Sequence, residues 1–71
     1  MPKLPIVSGK QMVAALKRAG FEQVRQRGSH VSLQKGGYRT VVPLHTDLSP
    51  GTLLAILKQS GLSREELARY L

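Results

Sequence analysis

The sequence predicts an α+β fold, a three-stranded antiparallel sheet with helices on one of its faces. Three observations carry that expectation. Residues 8–20 and 49–61 each set apolar side chains at helical spacing between a serine and a closing glycine. Residues 21–43 lose that spacing and hold two dipeptides suited to two-residue hairpin turns, Gly28-Ser29 and Gly36-Gly37. At 71 residues the chain has room for one core, so these pieces are expected to pack as a single domain over residues 1–71.

The first helix is signalled by Ser8 as N-cap, with Gln11 three residues on to complete a capping box. Met12, Val13 and Leu16 share one stripe, and Lys10, Lys17 and Arg18 fall largely away from it. Gly20 can close the helix in a left-handed conformation, with Phe21 folding back on its end. A three-stranded meander follows. The second helix opens at Ser49-Pro50, a cap followed by a residue that has no N–H to satisfy. Its buried stripe is expected at Leu53, Leu54 and Leu57, with Ile56 flanking and Gly61 as the stop. A short third helix starts at Ser63, where Glu66 completes Ser-x-x-Glu and Leu67, Tyr70 and Leu71 pack back.

Charge is the strongest bulk signal. Eleven Lys and Arg stand against four Asp and Glu, a formal net charge of +7, and they are spread along the whole chain. A folded basic surface of this kind suits a polyanionic partner, nucleic acid or an acidic protein. With no cysteine, neither a disulfide nor a thiolate metal site can reinforce the core. Two histidines and four carboxylates are also a poor set from which to build a metal centre, so no cofactor is expected. The opening MPKLPIVSGK lacks a continuous apolar stretch, and the runs MVAAL and LLAIL are far too short to span a bilayer. The chain reads as a cytoplasmic protein with no membrane partner.

If both turns are two-residue loops, strand partners sum to 57 in the first hairpin and 73 in the second. Val24 is then opposite Leu33, Val31 opposite Val42, and these share one buried face with Thr40. The other face carries Gln23, Arg25 and Arg27, then Gln34, Ser32 and His30, then Arg39, with Val41 and Pro43 as its apolar members. His30 is placed directly across from Arg27 on a wet, cationic surface.

That placement suggests chemistry. A guanidinium beside an imidazole disfavours a protonated ring, and a neutral imidazole can accept a proton. Arginines can hold a phosphate bidentately and stabilise charge that develops on it. Histidine with arginines is thus a minimal kit for attack of an RNA 2′-hydroxyl on the adjacent phosphate. The competing reading is that His30 is an ordinary polar residue on a solvated strand. For His45, in VVPLHTDLSPGT, two readings stay open: a ring that hydrogen-bonds loop backbone, or a second acid–base group or phosphate contact. Lys10 is a poor partner for a helix N-terminus, so it is either simply solvated or a phosphate contact. Tyr38 and Tyr70 are too few and too separated for a base-stacking platform, and Glu65 and Glu66 suit a helix start without any catalytic role.

SGKQMVAALKRAGFEQVRQRGSHVSL and VVPLHTDLSPGTLLAILKQSGLSREEL together resemble the HicA toxins of bacterial toxin–antitoxin pairs. The most specific parts are the Gly-Phe after the first helix, Gly28-Ser29-His30, the Val-Pro-x-His at 42–45, and Gly51-Thr52-Leu53 opening the leucine-rich helix. The resemblance implies a double-stranded-RNA-binding-domain-like α-β-β-β-α fold with a short C-terminal helix. It also implies a metal-independent endoribonuclease that cleaves mRNA and is silenced by a HicB-type antitoxin. The family's catalytic histidine corresponds to His30. On the leading reading of the residues themselves, His30 is a general base on the 2′-hydroxyl or a general acid on the leaving oxygen, Arg25, Arg27 and Arg39 hold the phosphate, and Ser29 and Lys10 are accessory contacts. His45 matches a histidine common in the family. The alternative is a non-catalytic double-stranded-RNA-binding module of the same fold, for which one compact sheet offers few contacts. A DNA- or protein-binding domain ranks below both, because no helix gathers a base-reading set of Arg, Asn and Gln on one face.

Overall fold

Helix starts in this chain are set by serines. Ser8, Ser49 and Ser63 each accept from the N–H three residues on, and at Ser8 and Ser63 the side chains of Gln11 and Glu66 return the contact. The computed structural model describes residues 4–71, with Pro2 of the opening stretch outside them. Its elements are α1 (Gly9–Arg18), β1 (Glu22–Arg27), β2 (His30–Lys35), β3 (Tyr38–Pro43), α2 (Pro50–Ser60) and α3 (Arg64–Tyr70). The three strands form one antiparallel sheet in chain order, so the α+β meander with its α-β-β-β-α order and added C-terminal helix is as expected.

Helix ends follow the same local logic. Gly20 takes φ 99° after α1, and the N–H groups of Gly20 and Phe21 return to the carbonyls of Lys17 and Leu16. Those bonds fold Phe21 back into the core, where it is buried. Lys35 then reaches from the end of β2 to the Ala19 carbonyl at 2.6 Å, a cation on the negative end of α1.

The inner face of the sheet carries Val31, Leu33, Thr40 and Val42, all buried under the helices. Thr40 is the one hydroxyl among them, and it donates to Gln59 Oε1 of α2 at 2.9 Å, so no desolvated donor is left over. Met12, Val13, Ala15 and Leu16 of α1 and Leu67 of α3 complete the core from the helical layer. The α2 stripe differs from the expected one. Leu53, Ile56 and Leu57 are buried and Leu54 is exposed, because 53, 56, 57 and 60 share one helical face while 54 is turned away. Leu71, expected to pack back, is also exposed. Among the described residues no helix is long and apolar enough to cross a membrane.

Registers decide what faces solvent. In the second hairpin every pair sums to 73, from Lys35–Tyr38 to His30–Pro43. In the first, Arg27–His30, Gln26–Val31 and Arg25–Ser32 sum to 57, but Gln23 lies opposite Leu33 and Glu22 opposite Gln34. Val24 is therefore a bulge, 47% exposed, and not the expected partner of Leu33. Loop lengths constrain only the pairs next to the turn, and the bulge absorbs one residue beyond them. Its effect is to exchange faces: Glu22, not Gln23, joins the outer face, and Gln23 falls in register with the inner one.

Candidate functional site

Built outward from the first turn, the outer face forms three rows. Arg27, His30 and Pro43 make the first, Arg25, Ser32 and Val41 the second, and Glu22, Gln34 and Arg39 the third. The turn that starts it all has Gly28 at φ 58°, the sign that the first position of a type II′ turn requires. His30 follows at once, exposed, with the guanidinium-bearing Arg27 as its direct partner across the strand pair. Arg25 stands two residues along the same strand. Among the described residues this face carries no helix, whereas the opposite one is buried under the helices.

Expected phosphate-binding residues divide into two groups. Arg25, Arg27 and Ser29 lie at the His30 end. Arg39 shares the face but sits four residues along β3 from Pro43, about 13 Å away at strand spacing. It also shares its row with Glu22, whose carboxylate the bulge brings onto this surface. Positive charge is thus concentrated at the His30 end, with Arg39 farther along the same face.

Lys10 enters from another element. The first turn of α1 is pressed against the chain leaving β3: the Gly9 N–H donates to the His45 carbonyl at 2.9 Å. A Cβ on Gly9 would collide with the Pro43 carbonyl oxygen and come within 2.7 Å of the Leu44 Cα. Only glycine allows this approach, and it brings exposed Lys10 to the edge of the sheet beside the His30–Pro43 row. Sequence reasoning overlooked Gly9. Its signal was a glycine directly after an N-cap serine, where other residues fit as well.

His45 is exposed, and its main chain rather than its ring makes the connection. Leu44 N–H donates to Ser29 O at 2.7 Å, and the Gly9 bond lies on the other side. Among the described residues no three His, Cys, Asp or Glu side chains converge as a metal site requires.

The α-β-β-β-α frame is the one the resemblance implied, and on it the strand pairing sets His30 beside a hairpin turn on a cationic face. The family model for the HicA toxin of bacterial toxin–antitoxin pairs matches residues 9–62, from the pinched Gly9 to just past the glycine that ends α2. The chain belongs to the HicA toxin family. No curated protein and no solved structure matches it to a comparable standard. As a HicA toxin it is the toxic member of a toxin–antitoxin pair, and an antitoxin is among its partners. The matched span contains every residue of the cationic face as well as Lys10 and His45.

Proposed function

We propose that this HicA toxin is a metal-independent endoribonuclease that cleaves mRNA on the outer face of its sheet, in the cytoplasm. The observation that carries the reading is the row of Arg27 and His30, an exposed imidazole directly across from a guanidinium at the most cationic end of an open face. His30 accepts the proton of a ribose 2′-hydroxyl as that oxygen attacks the adjacent phosphorus. Arg27 and Arg25 hold the phosphate and stabilise the charge that builds on its oxygens. Ser29 and Lys10 contact neighbouring parts of the backbone, and Arg39 holds the strand farther along. A HicB-type antitoxin silences the enzyme by laying an acidic surface over the same face, which the net charge of +7 favours.

Incubation of the purified protein with a defined RNA in EDTA, with identification of the product ends, tests this. Wild type is expected to leave 2′,3′-cyclic phosphate and 5′-hydroxyl ends. His30→Ala is expected to leave the RNA whole while changing stability by under about 0.5 kcal/mol, as exposed substitutions do. RNA that is bound but uncut by the wild type would reduce the protein to a binding module of the same fold.

A further inference from the structure

Displacement at a phosphodiester needs proton transfer in two places, because the attacking 2′-oxygen and the departing 5′-oxygen lie roughly in line on opposite sides of the phosphorus. An acid or base acts only within about 2.6–3.2 Å of the group it serves. A single imidazole cannot reach both oxygens at once. With His30 at the 2′-oxygen, the 5′-oxygen still lacks a donor.

We propose that His45 is that donor, which makes it a second catalytic residue. This rests on the nuclease reading above. The strand ladder ends at the His30–Pro43 pair, and one more bond follows it: Leu44 turns its peptide towards β2, donating to Ser29 O at 2.7 Å. His45 then turns its carbonyl the other way, accepting from Gly9 N–H at 2.9 Å. That alternation is the one a strand would have, and although β3 itself ends at Pro43 it sets His45 on the face of Pro43, two residues before it, and hence on the face of His30. His30 and His45 are diagonal neighbours, a relation that sets Cα atoms about 7–8 Å apart. Two imidazoles held at that spacing can stand on either side of one phosphate.

The surroundings support a working ring. Its main chain is tied on one flank to Ser29 through Leu44 and on the other to Gly9, while the ring is exposed and makes no hydrogen bond among the described residues. The backbone therefore performs the connecting role that a structural histidine would have filled. By register and chain connection, the charged or titratable residues next to it are His30 and, across from that, Arg27, then Lys10 after the bonded Gly9 and Asp47 two residues on. In the step, the 2′-oxygen bonds to phosphorus and passes its proton to His30. The bond from phosphorus to the 5′-oxygen breaks, and that oxygen takes a proton from the His45 imidazolium. The products are a 2′,3′-cyclic phosphate and a 5′-hydroxyl, with His30 protonated and His45 neutral until water exchanges their protons.

The test compares an ordinary RNA with one whose scissile 5′-oxygen is replaced by sulfur, a leaving group that departs without protonation. His45→Ala is expected to slow cleavage of ordinary RNA by about 100- to 10,000-fold, the usual contribution of a general acid. It should cleave the sulfur-linked RNA close to the wild-type rate, while His30→Ala fails on both. His45→Asn, which keeps a polar group but donates no acidic proton, should behave like the alanine variant. Thermal melting confirms that each variant is folded. Wild-type rates for His45→Ala on ordinary RNA, alongside an inactive His30→Ala, would overturn the donor and leave the nuclease standing. Equal losses for His45→Ala on both substrates, or rescue by asparagine, would overturn it as well. A wild type that cleaves neither RNA would remove the nuclease reading and this one with it.

Discussion

At the scale of single residues, the tightest constraint falls on Gly9, which no chemistry singles out. Its Cβ position is occupied by backbone, the Pro43 carbonyl and the Leu44 Cα, which cannot swing aside as a flexible side chain would. Gly9→Ala is expected to cost about 1–3 kcal/mol, as overpacking typically does, measured as a lower midpoint in urea. RNA cleavage should fall further than the folded fraction does, since Lys10 and His45 are displaced together. The sequence showed His30 clearly, because a glycine turn fixes the residue that follows it. It showed the position of His45 but not its surroundings. Those depend on Leu44 meeting Ser29 and Gly9 meeting His45, contacts between segments far apart in the chain.

Among the secondary-structure elements, helix boundaries were legible because caps are local: three serines, two glycines and Pro50 name their own positions. The second hairpin was legible for the same reason, its register running without interruption from the Gly36-Gly37 turn. The first was legible only as far as Arg25. No local rule announces the bulge at Val24, since a β-branched residue is what an ordinary strand would also carry. The third helix offers a test of its cap. Glu66 accepts from the Ser63 N–H at 3.0 Å, and that bond, with the Ser63 hydroxyl, holds its carboxyl below the usual value of 4.5. A carboxylate depressed on folding stabilises above its unfolded value, and that contribution is lost as pH falls through the lower, folded one. Glu66→Gln keeps the capping geometry without the titration. Its melting temperature should therefore fall less steeply in acid than that of the wild type.

The whole molecule is asymmetric in charge and cover: all helices on one side of the sheet, and on the other an open cationic face richest at the His30 end. Arg39, with Glu22 in its row, belongs to the poorer end. Arg39→Ala is expected to weaken RNA binding and to shallow the slope of log affinity against log salt by about 0.7, one phosphate contact on a single strand. Single-turnover cleavage at saturating RNA should be unchanged. Arg27→Ala, beside His30, should reduce that rate as well. A slope unaltered by Arg39→Ala would confine the bound strand to the near end.

The open face has one further consequence. Among the described residues no helix lies over it to form a wall or a blind end, so a strand can be laid across the sheet sideways and run on past both edges. No terminus has to be threaded in. On the reading proposed here, a closed ring of RNA is as good a substrate as a linear one, and a message is open to attack anywhere along its length from the moment it emerges.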